Sequence, residues 1–81
     1  MKNISIYDNG GKTLDRITVI FNDRKRVTKD GILYECISAS ENGSGFFLHS
    51  EAMKGAHLGK KTDFSNLSLP LQNKLLIELN K

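Results

Sequence analysis

Two groups of cations are the side chains best suited to binding another molecule. Arg24-Lys25-Arg26 is followed closely by Lys29, and Lys60-Lys61 follows a segment that begins at Gly55. Lysine and arginine bind phosphates and acidic protein surfaces, and glycines let backbone amides approach an anion. The candidate binding residues from these groups are Arg24, Lys25, Arg26, His57, Lys60 and Lys61. The alternatives are a solvated hairpin loop for the first group and structural glycines for the second.

His49, Glu51 and His57 lie close together in the sequence. Imidazole and carboxylate groups are ligands for divalent cations, but this spacing matches no known metal motif. We therefore expect His49 to be an ordinary strand residue and His57 to be a hydrogen-bonded loop residue. The sequence predicts neither a metal site nor a cofactor.

Catalytic groups are also not indicated. Cys36 lies within an apolar run, where a thiol behaves as a small inert hydrophobe. The carboxylates form no identifiable acid/base pair, because their relative positions depend on the strand register. An enzyme would need His49 or His57 beside a pocket with a perturbed pKa. We predict that the protein is not an enzyme.

Alternating apolar residues and turn signals predict the elements that position these side chains. Strands are expected at residues 4–7, 16–21, 32–39 and 46–49, with a short last strand at 62–64. Asn9-Gly10, Asp30-Gly31 and Asn42-Gly43 are turn signals, and the third turn joins two strands as a hairpin. Residues 22–26 are expected in a loop and residues 50–61 in an ordered loop. The strand at 32–39 is expected to be covered on both faces.

Leucines at helical spacing predict a C-terminal helix that begins near Ser68 and Pro70. The predicted fold class is α+β: a small antiparallel sheet of four to five strands with one C-terminal helix packed on it. With 81 residues the chain is expected to form a single domain, 1–81.

Composition limits the setting in which the protein works. Hydrophobic residues make up 38% and charged residues 26%, which is typical of a globular domain. A single cysteine excludes an internal disulfide and favours a reducing cytoplasm. Met1-Lys2-Asn3 leads into a strand-like stretch rather than the apolar core of a signal peptide, and no window is apolar enough for a membrane span. A net charge of +3 is too small to indicate a nucleic-acid binder.

A series of short motifs runs in order through residues 15–72. The motifs are Asp15-Arg16-Ile17-Thr18-Val19-Ile20-Phe21, Tyr34-Glu35-Cys36, Ser40-Glu41-Asn42, Gly45-Phe46, His57-Leu58-Gly59-Lys60-Lys61, Phe64 through Leu67, Leu69-Pro70 and Gln72. Together they resemble a group of small uncharacterised proteins carried by bacteriophages, prophages and plasmids. Gly43 stands where that group usually has proline, and Ile17 where it usually has tyrosine. The resemblance implies a mobile-element origin and supplies no catalytic residues.

The leading functional hypothesis is a non-enzymatic phage or mobile-element accessory protein. It would bind a host protein or ribonucleoprotein complex in the bacterial cytoplasm, for example as an inhibitor of a defence system such as CRISPR. Tyr34, Phe47 and Arg24 are the expected anchors, because aromatic and arginine side chains dominate protein interfaces. No membrane partner is expected, and a homodimer through an edge strand is left open.

The alternative hypothesis is an anion-binding module for nucleic acid or a signalling nucleotide. It would use the two cationic groups, and its binding would depend strongly on salt. Nucleic-acid readers often stack bases on exposed aromatic side chains, whereas most of the aromatic residues here fall at expected core positions. That distribution disfavours the alternative.

Overall fold

Five strands and one α-helix form the protein in a computed structural model, which describes residues 3–80. The strands are β1 (Ile4–Asp8), β2 (Ile17–Thr28), β3 (Gly31–Ala39), β4 (Phe47–Ala52) and β5 (Lys60–Thr62), and the helix is α1 (Leu69–Leu79). Single 3₁₀ turns occupy Ala56–Leu58 and Phe64–Asn66. All strand pairs are antiparallel, in the order β4-β3-β2-β1-β5, which confirms the predicted α+β class. Met1 and Lys2, part of the stretch that argued against a signal peptide, lie outside the described residues.

The predicted loop at residues 22–26 is wrong, because β2 continues through these residues to Thr28. The register of β2 against β3 jumps from Ile20–Cys36 to Lys25–Tyr34, so four residues of β2 lie opposite one residue of β3. Such a bulge absorbs the extra residues and lets pairing resume beyond them. Arg24, Lys25 and Arg26 therefore belong to a strand, despite the low strand propensity of their polar neighbours.

Two other boundaries differ from the prediction. β4 extends to Ala52, because Tyr34 and Glu35 of β3 provide partners for Ala52 and Glu51. The last strand is Lys60–Thr62 rather than residues 62–64, and Phe64 begins a 3₁₀ turn. Residues 50–61 are thus an ordered segment with a strand at each end rather than a loop throughout.

The main core lies between α1 and one face of the sheet. Ser68 is the N-cap, where its Oγ accepts a hydrogen bond from the Leu71 amide, and Pro70 occupies the first turn. Leu71 and Leu75 are both 0% exposed and belong to the same core as Val19 of β2. Burying each leucine contributes about 2 kcal/mol, and this anchors the helix to the sheet. No helix within residues 3–80 has the length and apolar content needed to cross a bilayer.

The opposite face of the sheet is covered by the chain between β4 and β5. These strands form opposite edges, so residues 53–59 must cross the sheet to connect them. His57 and Leu58 line a common cavity with Thr18 and Ser38, which the register places on the face away from α1. Cys36, on the same face, is buried and its Sγ lies 3.2 Å from Ser50 Oγ. The inner part of β3, residues 36–39, is therefore covered on both faces, whereas Ile32 and Glu35 in its outer part are exposed, so the predicted coverage holds for half of the strand.

Gly59 allows the crossing segment to close against β1. Its φ is +107°, a left-handed conformation that favours glycine. A Cβ at this position would overlap the carbonyl oxygen of Asp8 and lie 2.6 Å from Asn9 Cα. Glycine at this position thus lets the backbone of the crossing segment pack directly against the backbone of Asp8 and Asn9.

Candidate functional site

A hairpin formed by residues 23–34, here called the arm, extends past the end of β1. The described pairing of β1 with β2 ends at Ile4–Phe21, and within residues 3–80 the outer part of β2 pairs with β3 alone. The hairpin turn lies between Thr28 and Gly31, and the Thr28 hydroxyl donates a 2.8 Å hydrogen bond to the Gly31 carbonyl. The arm is thus a hydrogen-bonded hairpin that projects from the sheet.

The arm has two chemically different faces. Lys25 pairs with Tyr34, and Val27 pairs with Ile32, on the face away from α1. Arg26 pairs with Leu33, so its side chain points to the other face, the one that carries the helix. Side chains alternate along a strand, and the cations of the sequence run are therefore divided between the faces.

The two arginines of the arm are bonded to glutamates of this chain. Arg26 donates from Nε and Nη2 to the two carboxylate oxygens of Glu51, each at 3.0 Å. These hydrogen bonds hold the pKa of Glu51 below its usual value of 4.5 and raise the pKa of Arg26. Arg24 Nη1 lies 3.8 Å from Glu35 Oε2, and its guanidinium lies 4.5 Å from the centre of the Phe21 ring.

The opposite side of the arm presents apolar side chains between lysines. Val27 is 82% exposed and its cross-strand partner Ile32 is 39% exposed. Lys54, from the crossing segment, places its Nζ 4.7 Å from the centre of the Tyr34 ring. We call this surface the arm face, and it consists of Lys25, Val27, Ile32, Tyr34 and Lys54.

Charges around the arm are nearly balanced. The arm itself carries four cations, Arg24, Lys25, Arg26 and Lys29, and two carboxylates, Asp23 and Asp30. Lys54, Glu35 and Glu51 lie beside it and bring the totals to five cations and four carboxylates. Phosphate binding depends on cations that are free to replace counterions. The structure therefore reduces the phosphate-binding capacity that the sequence run suggested.

Other predicted binding residues lie apart from the arm face. Phe47 is half-buried against the main core, with Lys74 Nζ 5.3 Å from its ring centre. Lys60 and Lys61 are in β5, at the far edge of the sheet, and their register partners Asp8 and Tyr7 place them on opposite faces. Of the predicted residues, the structure thus brings together Lys25 and Tyr34.

Lys60 and Lys61 line a shallow cavity of about 670 Å³ together with Lys12. Gly59, one of the two glycines of the segment that precedes these lysines, donates its amide to the Ala56 carbonyl at 3.0 Å. The Gly59 amide is therefore not a free donor for an anion.

The histidines and Glu51 do not form one site. His49 lies on the helix face of β4, where its Nε2 is 3.1 Å from Glu78 Oε2. His57 is exposed in the crossing segment, on the other side of the sheet. Among residues 3–80, no group of three or more histidine, cysteine, aspartate or glutamate side chains is placed to hold a metal ion.

Sequence reasoning missed Val27, Ile32 and Lys54. A signal for the first two was present, because Val27 and Ile32 stand symmetrically about the turn at Lys29-Asp30, and such residues face each other in a hairpin. Lys54 gave no such signal, since its position depends on the path of the crossing segment.

Comparison with known proteins does not identify a relative. No protein-family model, curated protein or solved structure matches this chain. The similarity to small phage and plasmid proteins therefore stays a prediction, and the side-chain geometry of the arm is the main guide to function.

Proposed function

We propose that this protein is a non-enzymatic accessory protein of a phage or mobile element that binds a host protein, alone or within a ribonucleoprotein complex, through the arm face. The observation that carries the proposal is the exposed pair Val27 and Ile32 at the end of a projecting hairpin. Apolar side chains rimmed by charged groups are typical of interaction sites. A component of a bacterial defence system such as CRISPR, which this protein would inhibit by binding, fits the role of partner.

The chemistry of the arm face favours a protein over a nucleic acid. Val27 and Ile32 gain by being covered with apolar atoms, whereas phosphates would leave them in water. Arg24 and Arg26 are already close to Glu35 and Glu51. Lys25 and Lys54 flank the apolar pair and suit carboxylates at the rim of a protein surface.

The arm also has the rigidity that binding requires. Its backbone is fixed by the β2–β3 ladder, so little conformational entropy is lost when a partner binds. Tyr34 is half-buried and held beneath Lys54, which makes it a preformed aromatic contact. Covering the Val27 side chain would contribute roughly 2 kcal/mol to binding.

A protein of this kind can inhibit its target by binding alone, without catalysing a reaction. A rigid arm that occupies a functional surface of the host protein competes with the normal ligand of that surface. The affinity then depends on a few well-packed side chains, here Val27, Ile32 and Tyr34.

Affinity capture from bacterial lysate tests the proposal. Tagged protein is incubated with lysate that has or has not been treated with nuclease, and the bound material is analysed by mass spectrometry. We expect one protein to be retained after nuclease treatment and to be lost with Val27→Glu. Retention of nucleic acid or a free nucleotide alone would instead support the anion-binding module.

A further inference from the structure

The two edges of the sheet differ in how they are protected against pairing. β5 is three residues long, carries Lys60 and Lys61, and follows Gly59. β4 is six residues long, pairs with β3 in an unbroken register, and contains neither lysine nor proline. Short length, lysines, prolines and bulges are the usual protections of an edge strand. β4 has none of these, although it carries one carboxylate, Glu51, and within residues 3–80 no segment pairs with its outer edge.

The sequence of β4 is complementary to itself about Ser50. In an antiparallel pair of β4 strands centred there, His49 lies directly opposite Glu51 and Leu48 lies opposite Ala52. His49 and Glu51 share one face of β4, while Leu48, Ser50 and Ala52 share the other. An imidazole opposite a carboxylate and apolar side chains opposite each other suit a strand pair. Within its own chain Glu51 still accepts from Arg26, and His49 Nε2 stays 3.1 Å from Glu78 Oε2.

Symmetry leaves few alternative registers. A two-fold axis that relates two antiparallel strands of one sheet is perpendicular to that sheet, so it must pass beside a residue paired with its own copy. An axis at His49 would place two imidazoles opposite each other, and an axis at Glu51 would place two carboxylates opposite each other. An axis at Leu48 would pair only three residues of each strand. Ser50 is the centre that combines a five-residue overlap with an imidazole opposite each carboxylate.

We propose that the β4 edges of two copies of this chain pair about a two-fold axis at Ser50. The two sheets then become one continuous sheet of ten strands, with both helices on the same face. The axis turns one arm by half a revolution relative to the other, so the dimer presents two arm faces at opposite ends of the sheet. This dimer does not depend on what the arm binds.

The oligomeric state in solution tests the dimer directly. The mass of the purified protein is measured by light scattering after size exclusion, across a range of loading concentrations. We expect wild type to approach twice the chain mass of 9.1 kDa as concentration rises. Ser50→Lys places two lysines opposite each other at the axis and should give a single-chain mass at every concentration.

Asn73→Lys is the matched control, because it adds the same charge at an exposed position of α1. It should behave as wild type, and circular dichroism should show that both variants keep the fold. A wild-type mass of one chain at all concentrations would overturn the proposal, as would a Ser50→Lys variant that still forms dimers.

Cross-linking distinguishes the proposed register from the others. Leu48→Cys, Ser50→Cys and Ala52→Cys are made separately in a Cys36→Ala background, because Cys36 lies beside Ser50 and would otherwise compete. At the proposed axis the two copies of residue 50 have Cβ atoms about 5 Å apart, whereas the copies of residues 48 and 52 are separated by about 13 Å. A short bis-maleimide should therefore join Ser50→Cys efficiently. More efficient joining of Leu48→Cys or Ala52→Cys would contradict this register.

Discussion

Arg26 and Glu51 are joined by two parallel hydrogen bonds, from Arg26 Nε to Glu51 Oε2 and from Arg26 Nη2 to Glu51 Oε1. The pair connects β2 with β4 across β3, on the face of the sheet that carries α1. Lys25, one residue earlier, lies on the opposite face beside Tyr34. Neighbouring cations in the sequence thus have different surroundings and different expected roles.

Lys25→Ala should weaken capture of the host protein by about fivefold, which corresponds to ~1 kcal/mol. Arg26→Ala should change it by less than twofold, because Arg26 is bonded to Glu51 and lies on the other side of the arm. Quantitative capture from nuclease-treated lysate at several protein concentrations measures both effects. A larger loss with Arg26→Ala than with Lys25→Ala would assign binding to the helix face instead.

Val27→Glu should reduce capture by more than tenfold, because it places a carboxylate where an apolar contact is expected. Leu14→Glu is the control, since Leu14 is 84% and Val27 82% exposed. Both substitutions lie at exposed positions and should leave the thermal midpoint nearly unchanged. Equal capture by the two variants would count against the arm face.

Asp8→Asn should lower stability at neutral pH by about 1 kcal/mol. Arg16 Nε donates a 2.8 Å hydrogen bond to Asp8 Oδ1, and the Gly10 amide donates to the same oxygen. Asparagine keeps an acceptor for the Gly10 amide and removes the charge that Arg16 binds. Thermal unfolding of both proteins between pH 7 and pH 2 measures the difference.

The sign of the pH effect follows from the pKa of Asp8. The hydrogen bond from Arg16 lowers this pKa from its usual value of 3.8, burial opposes the shift, and the Gly10 amide adds to it. The ionised carboxylate therefore stabilises the fold above about pH 4, and this contribution is lost as the pH falls through the lowered pKa. The gap between wild type and Asp8→Asn should close in acid. A gap that stays constant down to pH 2 would show that the charge is not its cause.

Gly59→Ala should destabilise the protein by about 3 kcal/mol. The new Cβ would overlap the backbone of Asp8 and Asn9, and the φ of +107° is unfavourable for alanine. Gly10→Ala should cost about 1 kcal/mol, since its φ is +78° but the space around it is open. Urea unfolding gives both free energies. Similar values for the two variants would mean that the crossing segment does not close tightly against β1.

The sequence predicted those elements whose apolar spacing is regular. The run from Ile17 to Phe21 identified a strand, and Leu71 with Leu75 identified the helix that packs on it. The outer part of β2 was missed because its residues are polar and a bulge interrupts its register. Local composition does not reveal a strand that is held mainly by pairing with its neighbour.

The candidate site was predicted only in part, for a related reason. Lys25 and Arg26 are equivalent as members of a basic run, and only the register separates their faces. Phe47 appeared to be an available anchor, yet the path of α1 places it against the core. Lys54 reaches Tyr34 because the crossing segment begins above β3, which depends on β4 and β5 lying at opposite edges.

Site-specific photo-cross-linking is the most direct test of the arm face as the binding surface. A benzophenone amino acid replaces Val27, near the outer end of β2, in one variant and Leu14, three residues before β2 begins, in another, so that the two probes lie roughly 30 Å apart. After irradiation in nuclease-treated lysate, we expect one host protein to be joined to residue 27 and not to residue 14. Binding through the arm face would be contradicted if residue 14 alone were joined to that protein. It would also be contradicted if neither residue were joined while the protein was still captured.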